Sequence, residues 1–307
     1  MKNFSLVTSQ DRSYQLAIWE QRAIRVVLTA CALLSVAITI GIIVMLMVHC
    51  RYFFLEVPWP QFFFGTKWAP LFEPRHFGVL PIIWGTLLVS LGACAISIPF
   101  GLGIALFLSE FAKPRTRSIF KPIIELLAGI PSVVFGYFAL ITITPALKII
   151  LPQTEVFNAL SASIVVGIMT IPMISSLSDD AFRSIPRSLR EAGYAMGATS
   201  FEVSFQVVLP AAISGVIASI ILAFSRAIGE TMAVTLAAGA SPKLTLNFLE
   251  SIQTMTSYIV QVSMGDTPHG SVEYYSLFAV AAILFFITLF FNIFADFVLR
   301  KTRISYI

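Results

Sequence analysis

REAGYAMGATSFEVSFQVVLP, residues 190–210, is the longest polar interruption between two apolar runs in the second half of the chain. Its local chemistry predicts two short helices. Ser184-Ile-Pro186 supplies a cap and a helix-starting proline, Arg187 to Met196 reads as helix, and Gly197 is a natural terminator. Thr199-Ser-Phe-Glu202 fits the capping-box pattern, in which threonine and glutamate satisfy each other's free N–H groups, so a second helix starts there. Pro210 opens the next apolar run. Anchored in apolar sequence at both ends, the pair forms a rigid knob on the water side of a membrane. Taken alone, the pattern also suits an ordinary interhelical loop.

Outward from the knob, the composition excludes an ordinary soluble domain: 57% of the residues are hydrophobic, 12% are charged, and mean hydropathy is +0.88. Six apolar runs, at 26–48, 78–109, 122–151, 158–177, 211–239 and 274–299, each match the ~20 residues that cross ~30 Å of hydrocarbon. The expected fold is therefore all-α, a polytopic membrane protein with six transmembrane helices. Residues 1–25 form an N-terminal segment, 26–300 the membrane domain with the loop 179–209, and 301–307 a tail. The first run is too long for a signal-peptide core and reads as a retained span. Glycines and prolines in the second run permit close helix contact and kinks. Gly129-Ile-Pro131-Ser is expected to break or bend the third, and Glu125 falls in its first turn, where the helix dipole tolerates an acid. Asp179-Asp180 ends the fourth run. The aromatic residues of 50–77 read as anchors at the membrane–water interface.

Six spans place both termini on one side. That side holds Lys2, Arg12, Arg22, Arg25, Lys113, Arg115, Arg117, Lys121, Arg183, Arg187, Arg190, Arg300, Lys301 and Arg303. The other holds Arg51, Lys67, Arg75, Lys148 and Lys243. By the positive-inside rule the richer side, with the knob, is cytoplasmic. The formal charge of +4 is thus a matter of topology, and with no basic, aromatic-interleaved stretch no nucleic-acid partner is expected. Cys31, Cys50 and Cys94 lack metal spacing, and two of them lie in apolar runs, which argues against a disulfide framework.

One basic residue remains. Arg226 lies about 15 residues, or roughly 22 Å, into the fifth run, with Glu230 at i+4 on the same helix face. Ionisable groups at such depth usually face a bundle interior or an aqueous path. An internal ion pair that fixes packing is one reading. A place on a substrate path is the other, with an anion as the cargo, because a guanidinium grips an oxyanion with two parallel hydrogen bonds.

No enzyme constellation is present: no Ser–His–Asp order, no paired carboxylates, no metal cluster and no cofactor motif. There is no phosphate-binding loop followed by Lys-Ser/Thr, so ATP-driven work needs an ATPase on another chain.

Glu191-Ala192-Gly193, then Gly197, Val207 and Leu209-Pro210, resembles the EAA loop of ABC-importer permeases, with Gly193 where alanine is usual and Val207 where isoleucine is usual. FGVLPIIWGTLL (77–88), ALFLSEFA (105–112), ELLAGIPSVVFGYFAL (125–140) and SRAIGETMAV (225–234) are similar to the permeases of the phosphate-specific importer, and more to its PstC-type subunit than to its PstA-type sister. The resemblance implies the type I ABC importer permease fold, a PstA-type permease partner, a PstB-type ATPase dimer, a PstS-type phosphate-binding protein and a place in the cell inner membrane, embedded in membrane lipid. It also implies ATPase coupling through Glu191, Ala192, Gly193, Gly197, Leu209 and Pro210, and a phosphate path past Arg226 and Glu230. The same machine with sulfate or molybdate as cargo, and an ion-driven secondary transporter, are the competing expectations.

Overall fold

The computed structural model describes the backbone of residues 4–302 except 266, and the side chains of 21–300 with the same exception. Lys2, Arg12, Lys301 and Arg303 of the charge count lie outside those side chains, as does the whole 301–307 tail. The secondary structure is helical apart from one two-stranded ribbon among the described residues. Helix α1 (Phe4–Glu56) leads through α2 (Trp59–Phe64) and the antiparallel pair β1 (Trp68–Ala69) and β2 (His76–Phe77) into α3 (Leu80–Leu106). Then follow α4 (Pro114–Ala128), α5 (Ser132–Phe138), α6 (Thr144–Ile150), α7 (Ala159–Arg183), α8 (Arg187–Ala195), α9 (Ser200–Glu202), α10 (Leu209–Ala211), α11 (Ile213–Ile228), α12 (Met232–Ala237), α13 (Met255–Met264) and α14 (Val272–Thr302). Wide π-helical turns at Phe107–Phe111, Ala139–Ile143 and Val203–Val208 continue α3, α5 and α9.

Among the described residues, five stretches are long and apolar enough to cross a bilayer: Gln21–Glu56, Leu80–Phe111, Ser132–Ile150, Ala159–Arg183 and Val272–Arg300. The sixth expected span differs from its sequence reading. Ser200–Ala211 and Ile213–Ile228 meet at 71°, and helix α11 stops at Gly229 rather than running on to Gly239. The third run also differs. Pro122 does not start a helix but lies inside α4, which runs unburied along the surface to Ala128. Glu125 is therefore in the last turn of α4, and the dipole argument for it fails. The Gly129–Pro131 break is where it was expected. Asp179 and Asp180 do not end the fourth span, which continues to Arg183.

Side chains pack in three apolar clusters along α3. One joins Phe53, Phe62, Trp68, Phe77, Ile82, Met255, Tyr258 and Val280. The aromatic loop is thus partly core: Phe53, Phe62, Trp68 and Phe77 are buried, while Tyr52, Trp59, Phe64 and Phe72 stay exposed at the periphery. The middle cluster joins Leu88, Val89, Ala93, Phe135, Val165, Met169, Ala227 and Val234. The third gathers Ala105, Leu106, Phe182, Ile185, Val203, Val208 and Val216 beneath the knob. From Ile82 to Leu106 the helical rise is about 36 Å, enough to span the hydrocarbon.

Between α12 and α13 the chain is extended, and its last stretch, Ser251 to Thr254, is buried; no sequence signal had placed it inside. Its carbonyls at Phe248 and Glu250 accept from Leu160 and Ala159 N–H at 2.8 and 3.1 Å, satisfying free donors in the first turn of α7. Irregular backbone is tolerated at this depth because protein groups complete its hydrogen bonds. Asn158 closes the same end: fully buried, its Oδ1 accepts from Ser161 N–H at 2.7 Å and its amide donates to Glu155 O at 3.2 Å. Asn158→Ala is expected to destabilise the protein by about 1–2 kcal/mol, since it removes a cap and strands buried partners. Unfolding of the detergent-solubilised variant checks this.

Candidate functional site

The knob is built by local hydrogen bonding. Pro186 starts α8 in extended geometry (φ −56°, ψ 141°). At its far end Ala198 N–H donates to Gly193 O at 3.2 Å and Gly197 N–H to Tyr194 O at 2.9 Å, the paired bonds of a Schellman stop. Gly197 carries the left-handed backbone that stop requires, at φ +86°. Thr199 Oγ1 accepts from Glu202 N–H at 3.3 Å, and Glu202 Oε2 accepts from Thr199 N–H at 2.7 Å, so the capping box forms as expected.

The six residues expected to couple separate into two roles. Glu191, Ala192 and Gly197 lie exposed on the knob. Gly193 faces inward, where a Cβ would stand 3.0 Å from Val203 Cγ2; this close approach seats α8 on the segment that follows it. Leu209 packs against the cluster beneath the knob, and Pro210 is exposed at the start of α10. The exposed surface is also apolar: Tyr194, Met196, Phe201 and Phe205 are open, Met196 at 90%. A tip so exposed and so apolar suits a protein partner.

Ion pairs tie the knob and its neighbour to the span ends, and none was legible in the sequence. Glu110, in the π turn that ends the second span, receives a two-pronged bond from Arg190. Asp179, 1% exposed in α7, is bonded by Arg117 and by Lys121 at 3.2 Å, which fastens α4 to α7. Their signal was only that each acid sits at the edge of an apolar run.

The second candidate lies at mid-depth. Arg226 occupies the last turn of α11, about 20 Å from its start, and its neighbour Ala227 belongs to the middle cluster. A cation there is favoured by the helix dipole. Its side chain is exposed on the surface of this chain, and its guanidinium has no hydrogen bond or ion pair among the described residues. Glu230 is not on the same helix face, as had been expected, because the helix ends between the two residues. It stands before α12, where Oε1 accepts weakly from Ala233 N–H at 3.4 Å and its carbonyl accepts from Thr256 Oγ1 at 2.8 Å. The internal ion pair, one of the two readings of the sequence, does not form between these residues. The break had a legible signal, a glycine at 229 followed by a threonine at 231, the pattern of a helix stop and restart.

Residues 97–304 match the family described as the binding-protein-dependent transport system inner membrane component. The chain belongs to that family. The permease is 32% identical over 262 residues to the probable ABC transporter permease protein YqgH of Bacillus subtilis, covering 85% of this chain and 84% of that one. It is 32% identical to the phosphate transport system permease protein PstC of Xylella fastidiosa, with 77% of each chain covered, and 30% identical to PstC 1 of Mycobacterium tuberculosis, with 78% and 82% covered. Its fold resembles a bacterial ABC transporter that imports the acidic polysaccharide alginate (TM-score 0.62, 16% identity, 94% of this chain and 99% of that one). It also resembles the inward-facing MetNI methionine ABC transporter (TM-score 0.60, 16% identity, 76% and 100%). The permease is thus a multi-pass membrane subunit of an ABC importer, with a binding protein and an ATPase as separate partners, and its relatives are transport permeases rather than enzymes.

Proposed function

We propose that the permease forms half of the transmembrane path of an ATP-driven importer of inorganic phosphate. The observation that carries this reading is Arg226, a guanidinium without a partner among the described residues, beside a helix break at the level of the middle apolar cluster. Facing lipid, such a group would cost about 3 kcal/mol or more, so its face belongs to an aqueous path or a second subunit. Its fork suits a phosphate oxyanion, and the relatives named as phosphate transport permeases support that cargo. The other half of the path is a PstA-type permease. A PstB-type ATPase dimer grips the knob through Glu191, Ala192 and the Gly197 turn, and a PstS-type protein delivers phosphate from outside. The knob and both termini face the cytoplasm, on the strength of the charge count. Arg226 binds loosely, because a conducting site must also release.

The test is reconstitution of the complex in vesicles, with uptake of labelled phosphate read against unlabelled competitors. Uptake that depends on ATP and the binding protein, and is blocked by phosphate but not by sulfate or molybdate, is expected. Competition by sulfate or molybdate at equal strength, or uptake without an ATPase, overturns the reading.

A further inference from the structure

Arg190 uses three nitrogens on four acceptors. Nε donates to Glu110 Oε2 at 3.1 Å and Nη2 to Glu110 Oε1 at 2.9 Å. Nη2 also donates to Phe182 O at 2.8 Å, and Nη1 to Ile185 O at 2.7 Å. Ser109 Oγ donates to Glu110 Oε1 at 2.6 Å and orients the carboxylate. The side chains of Glu110 and Arg190 are 6% and 17% exposed, so solvent screens the pair weakly. One guanidinium therefore joins three elements: the knob helix α8, the last turn of α7, and the π turn that ends the second span. The apolar bed below holds the same elements together, but apolar contact is non-directional and permits sliding. A two-pronged arginine–carboxylate bond fixes both distance and orientation.

The other exit from the knob is different. After Val208 the chain passes α10 and turns by 71° into α11, with Ala212 at the corner. Past the bend, α11 is held to α7 by a Ser178–Ser219 hydrogen bond of 2.8 Å and by Gly215, where a Cβ would stand 2.5 Å from Ala181 Cβ.

We propose that Arg190 and Glu110 are positioning residues that carry movement of the knob into α3 and α7. The knob, the end of α3, the end of α7 and the start of α11 packed on them move as one body. Movement reaches the Arg226 end of α11 through its packing on α7 and α3, not through a straight push across the 71° bend. This rests on the reading of the knob as the ATPase dock.

The experiment uses the whole complex in vesicles and measures phosphate transported per ATP hydrolysed, with ATPase co-purification read separately. Arg190→Glu and Glu110→Arg should each keep the ATPase bound and hydrolysing, while transport per ATP falls by about tenfold or more. The double exchange, which restores opposite charges, should recover a substantial part of it. Glu110→Gln keeps the shape and one acceptor oxygen, so it assembles even if the reversals do not, and should show a smaller fall. A normal ratio in Glu110→Gln or either reversal, or a double exchange no better than the singles, overturns the proposal. Glu191→Lys separates this from failure of the docking reading: if it leaves the ATPase bound, the dock lies elsewhere, and if it releases the ATPase while the Arg190 and Glu110 variants transport normally, only the clamp is wrong.

Discussion

Arg226→Gln is expected to reduce phosphate uptake by about 100-fold without reducing the amount of assembled complex. Two charge-assisted hydrogen bonds to an oxyanion are worth about 1.5–3 kcal/mol each, and each 1.4 kcal/mol is a factor of ten, so losing even part of that pair reaches this size. The structural alternative predicts the opposite pattern. If Arg226 only held helices together, its removal would strand a partner and lower stability. Here the guanidinium has no partner among the described residues, so nothing is stranded. Arg226→Lys should fall between, keeping charge and losing the fork. Glu230→Gln should be mild if Glu230 only caps α12, because a glutamine oxygen still accepts from Ala233 N–H. Uptake assays beside thermal unfolding of the purified complex check all three. Full uptake by Arg226→Gln removes this residue from the path.

Glu191→Lys should release the ATPase or weaken its binding by about 30-fold or more, since reversing a charge in a docked interface costs about 2–5 kcal/mol. Glu191 is exposed and has no hydrogen bond or ion pair among the described residues, so the permease itself should fold as before. Gly197→Asp attacks the same surface by a different route. Its left-handed φ strains any side chain by about 1–2 kcal/mol, yet an added Cβ meets nothing within 4 Å. The chain tolerates the residue, and what suffers is a partner pressed against the turn. Pull-down of the ATPase on the purified permease measures both variants. Undiminished binding in both means that the knob is not the dock.

The knob was legible because it is made of short-range chemistry. A capping box spans Thr199 to Glu202, and a Schellman stop spans Gly193 to Ala198, so each is encoded within a few consecutive residues. The clamp was not legible, because Glu110 and Arg190 are far apart in sequence and neither residue marks the other. The fifth span misled for a related reason. Hydropathy reads straight through Gly229 to Gly239, because the apolar residues on both sides outweigh the Gly229–Thr231 stop-and-restart signal. What breaks it is contact: Glu230 is held by Thr256, and α12 lies against α5 with Ala233 at Gly136. The strand-like passage after α12 was missed because its sequence, Asn247 to Thr254, is too polar for a membrane run, and the partners of its backbone come from outside it: the first turn of α7, Glu155 and Ala238.

By itself the sequence determined that apolar helices long enough to cross a bilayer make up most of the chain, which loop forms the knob, and that one cation sits well inside the fifth apolar run. Those properties follow from bilayer thickness and from hydrogen bonds that close within a few residues. The tertiary structure decided that α11 ends beside Arg226, that Glu230 leaves it unpaired, and that the knob is clamped to α3 and α7 but angled into α11. Each of these depends on which helix ends meet, and a meeting between distant segments is set by the packing of the whole bundle.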